Sequence, residues 1–477
     1  MQFTAEKPPT LTAAQVFEKQ KEASLTLRSE PISERILRLR KLEAWVHANR
    51  ERIKSTVHAD FQKPLLEVDT TEIYPVLTEL RHTLKHIEAW ARPKKVDATL
   101  SYIGTRSEIR YEPKGVCLII APWNFPFNLC VGPLVSCIAA GNTAIIKPSE
   151  MTPSTSRLLK EMAGEIFDEN VVTVLEGGVE VSEMLLNLPF DHIFFTGSPA
   201  VGKVVMTAAS KHLTSVTLEL GGKSPTIIDA SADLKDAAKR IAFGKFFNNG
   251  QTCIAPDYVL IEESIKQKFI DQLRKEVKVL FGDGKSIDET SPHYARIVNA
   301  KHFHRINDLL KDAIDRGATP EIIGTIDEGI NFMAPIILLG VEAGARILEE
   351  EIFGPVLPIL TFRNQEEILQ QINGRPKPLA LYIFSRRKTF TEYILQNTSA
   401  GGVCINECVL QFTHPNLPFG GVNNSGIGKS HGYFGFLAFS NEKPLLRQKK
   451  GWSGPYLLHP PYTERMKRIV DLLLKWF

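Results

Sequence analysis

The sequence lacks several features that would place it quickly. No apolar run approaches the length that spans a bilayer. The opening residues, Met1 to Pro8, lack the charged and apolar stretches of a secretory signal. Cysteine is scarce: six in 477 residues, too few for a disulfide scaffold in a chain of this length. Charge of one sign is missing too, because 57 Lys and Arg face 54 Asp and Glu, giving a net charge of only +3. A nucleic-acid binder normally shows a larger basic excess or a clustered basic face. Low-complexity tracts and internal repeats are absent as well. What remains is the composition of an ordinary globular protein, 43% hydrophobic, with reduced thiols and a cytoplasmic location expected. The length exceeds what one hydrophobic core usually supports, so two or three domains are expected.

The N-terminal part predicts helices. Ile36, Leu39, Leu42, Val46, Ile53 and Val57 fall near one helical stripe after the candidate cap Ser33, and 71–92 has similar character. Alternation around a glycine between Ala98 and Pro113 predicts a projecting hairpin. From Gly115 onward short β runs alternate with helical stretches. Strands are expected at 115–121, 142–147, 171–175 and 192–195, and a second series from Thr226 to about Phe419 includes 258–261 and 379–384. That alternation is the pattern of βαβ units and a parallel sheet, so the fold class is α/β.

Five segments could carry chemistry. In Phe247-Asn-Asn-Gly-Gln-Thr-Cys253 the cysteine follows a helix-like stretch in a glycine-containing turn, a setting in which a thiol can be exposed and reactive. A lone cysteine is more often a small buried apolar residue, which is the expectation for the other five. Cys404 and Cys408 have no second pair at zinc spacing, which argues against a metal site. Glu219 ends an apolar β run before Gly221-Gly222; desolvated in a cleft it would make a general base, whereas a strand-end Glu is more commonly exposed. Gly197, Ser198 and Gly202 stand at a strand-to-helix junction that suits a phosphate, although the spacing is not the usual Gly-x-Gly-x-x-Gly. Asn124 lies on a loop just beyond a strand, where it could donate to an oxyanion. Glu351 and Phe353 precede a Gly-Pro turn. For the last two segments, plain turn chemistry is the simpler alternative.

Seven motifs in order resemble the aldehyde dehydrogenase superfamily over nearly the whole chain. They are Pro122-Trp-Asn-Phe-Pro126, Ile146-Lys-Pro-Ser-Glu150, Phe195-Thr-Gly-Ser198, Leu218-Glu-Leu-Gly-Gly-Lys-Ser-Pro225, Gly250-Gln-Thr-Cys253, Glu351-Ile-Phe-Gly-Pro355 and Leu417-Pro-Phe-Gly-Gly421. Pro378–Ser385 and Cys253–Tyr258 look most like class 3, the branch that includes fatty aldehyde dehydrogenases. The resemblance implies a Rossmann-type cofactor domain, an α/β catalytic domain and a β-hairpin oligomerisation arm. The implied boundaries are 1–92 and 116–218 for NAD(P) binding, 219–429 for catalysis, 93–115 and 430–450 for the arm and its strand, and 451–477 for a tail helix. It implies oxidation of medium or long-chain aliphatic or aromatic aldehydes to carboxylic acids. Cys253 would be the nucleophile, passing through a thiohemiacetal and a thioester. Asn124 and the Cys253 backbone N–H would hold the oxyanion, and Glu219 would activate the hydrolytic water.

Cofactor contacts implied by the same resemblance are Trp123, Lys147, Glu150, Gly197, Ser198, Gly202, Glu351 and Phe353. The carboxylate of Glu150 favours the ribose hydroxyls of NAD over a 2′-phosphate, with NADP as the alternative. A homodimer is implied. One departure is Asn423, where relatives often have Gly; Asn tolerates positive φ, so a local adjustment is expected. In the tail, Met466, Ile469, Val470, Leu473 and Phe477 make an apolar stripe among basic residues. Docking on its own body or on a partner subunit is the favoured reading and membrane contact the alternative. Rival functions are a CoA-acylating enzyme, a Cys-dependent esterase and a non-catalytic binding protein. Glu219 argues against the first, and the cofactor residues against the second. Retention of Asn124, Glu219 and Cys253 together argues against the third.

Overall fold

The structure is a computed structural model that describes residues 12–97, 102, 104–451, 456 and 459–476. The expectations for the first residues, for part of the hairpin after Ala98 and for Phe477 lie outside them.

Two sheets organise the chain. The first has six strands in the order Gly426–Ile427, Ser215–Leu220, His192–Gly197, Val116–Ile120, Thr143–Lys147, Val172–Val174. All pairs are parallel except the edge strand Gly426–Ile427. The unbroken apolar run of Val116–Ile120 follows from burial on both faces. Cys117 and Ile119 pack against the helices Ile32–Ala48, Tyr74–Trp90 and Asn128–Ala140, whereas Val116, Leu118 and Ile120 face Phe17, Leu185 and Val205 on the other side. Each fully buried Leu, Ile or Val contributes about 2 kcal/mol of apolar burial. Helix Ile32–Ala48 begins with Pro31 at its N-cap and makes no side-chain cap bond, so Ser33 is inside the first turn and not the cap.

The second sheet has seven strands, in the order Thr319–Ile322, Ile336–Leu339, Val356–Phe362, Tyr258–Glu262, Pro225–Ile228, Ala380–Phe384, Gly402–Ile405. Only the edge strand Thr319–Ile322 is antiparallel. It too is buried on both faces: Val259 and Ile261 belong to one apolar cluster, Tyr258 and Leu260 to another.

The strands Lys94–Val96, Thr105–Pro113 and Ser440–Gln448 form a separate antiparallel sheet. Ser440–Gln448 pairs with Thr105–Pro113 over its full length within one chain, from Ser440 opposite Pro113 to Gln448 opposite Thr105. The tail forms the helix Glu464–Trp476, yet Val470 and Leu473 are exposed and Leu472 and Leu474 more so. Of the expected stripe, Met466 and Ile469 are half-buried in this chain, whereas Val470 and Leu473 lie open. Among the described residues no helix is long and apolar enough to cross a membrane.

In the first sheet the chain order reverses at Val116–Ile120, which lies between Thr143–Lys147 and His192–Gly197. Loops at the carboxyl ends of strands diverge at such a point and leave a crevice. Ala121–Asn124 and Gly197–Ser198 leave the sheet there.

Candidate active site

A cleft of about 530 Å³ opens at this crevice. Its walls include Trp123, Asn124, Gly197, Ser198, Glu219, Cys253, Glu351 and Phe353, so eight of the eleven residues singled out in the sequence converge on it. Lys147, Glu150 and Gly202 lie outside that lining.

Cys253 is placed by an unusual turn. The helix Leu234–Phe246 ends in Phe247–Gly250, where buried Asn248 and Asn249 take left-handed backbone angles (φ 51° and 55°). Their side chains hold the turn. Asn248 Nδ2 donates to the Asn124 and Gln251 carbonyls (2.9 and 3.1 Å), and Asn249 Nδ2 donates to the Ala295 carbonyl (2.8 Å). Gln251 Nε2 donates to the Asn248 and Arg296 carbonyls, both at 2.9 Å. Gly250, at φ +73°, is pressed against the Gly354 carbonyl, where a Cβ would collide; this ties the cysteine loop to the Glu351–Pro355 loop. Cys253 emerges half-buried, unlike Cys117, Cys130, Cys137 and Cys408, which are buried as expected; Cys404 is half-buried also. Desolvation, then the charges of Glu351 and Glu219, push the Cys253 thiol above its ordinary range.

Asn124 is buried, and its Nδ2 donates to the Gln251 carbonyl at 2.9 Å. An amide nitrogen carries two protons, so a second donor remains. The Asn124 carbonyl accepts from Lys63 Nζ (3.0 Å), an ammonium with no solvent exposure that also pairs with Glu72 (2.9 Å). Glu72 in turn accepts from the Asn128 backbone N–H (2.8 Å).

Glu219 is buried, not an exposed strand-end acid. Burial drives its pKa up to about 7, against the opposing pull of the Ser430 hydroxyl and Lys429. Glu351 rises to about 8, again through desolvation first and Asp257 second, opposed by the Gly222 N–H, Lys223 and Arg305. Gly221 lets the Glu351 carboxylate approach the backbone, since a Cβ there would collide with it. Phe353 takes a left-handed conformation (φ 47°), uncommon for an aromatic residue. In that pose its ring meets Trp123 edge-on at 5.4 Å, and Trp123 lies 4.9 Å from His302.

The remaining expected residues have clear local parts. Ser198 caps helix Pro199–Ser210, accepting from the Val201 N–H, and the first turn of that helix faces the cleft. Helix N-termini favour phosphate through unpaired N–H groups and the helix dipole. Buried Thr196 Oγ1, on the same wall, has no partner. Gly202 allows this helix to pack closely, because a Cβ would sit 2.7 Å from Leu220 Cδ2. Lys147 is buried, with Nζ on the Pro148 carbonyl and Glu150 Oε2, both at 2.9 Å, while Glu150 is partly exposed. Asn423 adopts φ 54°, a positive angle that Asn tolerates. The cleft's size, its phosphate-suited helix end, the unpaired hydroxyl and the aromatic wall fit a dinucleotide.

Sequence reasoning missed Lys63, Glu72, Asn248, His302, Arg305 and Ser430. Asn248 sits in the segment that carries Cys253, where the Asn-Asn-Gly run could have signalled a left-handed turn; the others belong to no spaced motif, and only the fold brings them to the site. Arg305, for example, holds the Glu351 and Ile352 carbonyls (3.1 and 2.6 Å) from a helix some fifty residues away.

Comparison with known proteins places the chain in a family. The aldehyde dehydrogenase family profile matches residues 6–445. Aldehyde dehydrogenase family 3 member A2 of Mus musculus is 42% identical over 438 residues, 92% of this chain and 89% of that one. The substrate-bound structure of Staphylococcus aureus AldH superposes with a TM-score of 0.92 at 42% identity, covering 97% of this chain and all of that one. P. syringae AldA, an indole-3-acetaldehyde dehydrogenase solved in complex with NAD+ and IAA, gives 0.83 at 26% identity, over 91% of this chain and 88% of that one. The α/β architecture read from the strand pattern is thus the fold of these relatives, and the chain belongs to the aldehyde dehydrogenase family.

Proposed function

We propose that this chain oxidises aldehydes to carboxylic acids with NAD as cofactor, NADP being the alternative, through covalent chemistry at Cys253. The observation that carries the reading is the convergence of Cys253, Asn124 and Glu219 on one cleft.

Cys253 Sγ adds to the aldehyde carbon and gives a thiohemiacetal. Because its thiol is held protonated, the proton must leave as the S–C bond forms, and it passes to solvent, which leaves Glu219 ionised for the later step. Asn124 Nδ2 and the Cys253 N–H donate to the oxygen as it gains charge, and burial strengthens both bonds. When bound, the nicotinamide supplies the hydride acceptor that turns the thiohemiacetal into a thioester. Glu219 then takes a proton from water as the water attacks the thioester carbon; the C–S bond breaks, and acid and free thiol are released. Trp123, Phe353, Glu351 and the Ser198 turn hold the cofactor, with Lys147 and Glu150 toward its adenosine ribose and Gly202 giving the phosphate helix its close packing.

The substrate is a medium or long-chain aliphatic or an aromatic aldehyde. Leu129, which lines the cleft with Asn124 and Cys253, belongs to an apolar cluster with Phe125 and Phe247, supporting an apolar substrate chain. The sheet of Thr105–Pro113 and Ser440–Gln448 serves homodimer assembly, and the exposed stripe of the tail helix meets the partner subunit or a membrane surface. The domains are read as 1–92 and 116–218 for the cofactor, 219–429 for catalysis, 93–115 and 430–450 for the arm and its strand, and 451–477 for the tail.

The test is NADH absorbance on mixing the protein and NAD with aldehydes from short to long-chain and aromatic. Turnover that Cys253→Ala abolishes is expected. Full turnover in that variant, or none in the native chain with NAD or NADP, would overturn the reading.

A further inference from the structure

Glu219 forms part of the wall between two cavities. One is the cleft with Cys253; the other is a small pocket bordered by Leu129, Pro133, Phe194, Phe412, Ser430 and His431. On this second side Ser430 Oγ donates to Glu219 Oε1. A serine hydroxyl has one proton to give. The other acceptor near it, the Phe419 carbonyl, lies at 3.5 Å, so Glu219 receives the proton. Both side chains are buried (Ser430 6% and Glu219 5% exposed), so water does not compete for the bond.

Backbone pairing fixes both ends of this contact. Ser430 N donates to the Phe419 carbonyl at 2.7 Å and Phe419 N returns the bond at 3.2 Å. Glu219 is a ladder residue opposite Gly426. Only the two short side chains are left to adjust. Other charged or titratable groups border the carboxylate. Lys429 attracts it, while its own ammonium is committed to the Gly420 and Gly421 carbonyls. Cys253, Lys223 and Glu351 stand on the cleft side, and Glu79 and His431 in the pocket. Glu79 accepts from the Gly432 N–H (2.8 Å). Among the described residues, Ser430 is the side chain that hydrogen-bonds Glu219 directly.

We propose that Ser430 is a positioning residue for Glu219: its hydroxyl fixes one carboxylate oxygen, stabilises the anion and leaves the other oxygen to take the proton from water. This rests on the reading of Glu219 as the base.

The experiment follows deacylation of the enzyme after acylation by 4-nitrophenyl acetate, across pH, in the native chain, Ser430→Ala, Ser430→Thr and Glu219→Gln. Loss of a hydrogen bond to a charged group is worth about 1.5–3 kcal/mol. The acid limb of Ser430→Ala is therefore expected to move up by about 1–2 pH units. Ser430→Thr, which keeps the hydroxyl, is expected to hold the native limb. Thermal melting and NADH binding should stay unchanged in both; should the alanine variant melt early, Ser430→Cys, a weaker donor, is expected to move the limb the same way. A limb unmoved in Ser430→Ala, a uniform rate loss without a shift, or a threonine limb that moves with the alanine one would overturn the proposal. If Glu219→Gln removes the limb while Ser430→Ala leaves it in place, Glu219 remains the base and only the role of Ser430 falls. If Glu219→Gln keeps the limb, both fall.

Discussion

Asn124 and Gln251 are joined by a 2.9 Å hydrogen bond from the Asn124 amide to the Gln251 carbonyl, which ties the loop after the strand Val116–Ile120 to the loop that carries Cys253. The bond commits one amide proton to the Cys253 loop and leaves the other, which the proposed reaction assigns to the oxyanion. Asn124→Ala is therefore expected to lower kcat by about 10²–10³-fold. Steady-state kinetics with a saturating aldehyde, together with NADH binding by fluorescence, checks this. The binding should be nearly unaffected.

Behind Asn124 the Lys63 ammonium bridges Glu72 and the Asn124 carbonyl without contact with water. Removing one partner leaves an unpaired buried charge. Lys63→Met is expected to lower unfolding stability by about 3–5 kcal/mol. The urea midpoint should fall accordingly; an unchanged midpoint would mean the pair does not hold the loop.

Acids wholly or partly withdrawn from water set a pH dependence of stability. Glu67, Glu79 and Glu219 are raised to about 7 and Glu351 to about 8, each first by desolvation. A raised carboxyl binds more protons folded than unfolded, so folding weakens as pH rises through these values. His302 and His431, lowered to about 4 chiefly by desolvation, act in the opposite sense, but only between that value and their ordinary 6.5. Above about 6.5 the carboxyls act unopposed by these histidines. The urea midpoint is expected to decline from pH 6.5 to 8, and a rise over that interval would contradict the burial of these groups.

Gly221 and Glu351 are in close approach, and a methyl at 221 would collide with the carboxylate. Gly221→Ala should displace Glu351 and weaken NADH binding, measured by fluorescence titration, with little change in melting temperature. Binding equal to that of the native chain would show that Glu351 takes no part in holding the cofactor.

Much of the architecture was legible because its causes are local. A strand buried on both faces, such as Val116–Ile120, must be an unbroken apolar run, and the alternation of such runs with helical periodicity signals parallel sheets. Cap positions were less so: Ser33 is a good capping residue, but Pro31 already provides an extended entry, and the helix begins before the serine. Site residues within continuous motifs, such as Cys253 and Glu219, could be named in advance. Lys63 and Ser430 could not, since their roles depend on contacts 61 and 211 residues away along the chain. The tail stripe shows the limit of periodicity, which identifies an apolar face but not what covers it.

The central claim is that Cys253 carries the acyl group, and trapping it is the most direct test. Glu219→Gln, in which hydrolysis is slowed, would be mixed with NAD and hexanal or benzaldehyde, quenched in acid, digested and weighed by mass spectrometry. The account predicts that the peptide containing Cys253 gains the mass of the aldehyde less two hydrogens. An adduct on another residue, or NADH formed with the Cys253 peptide unmodified at every quench time, would contradict it.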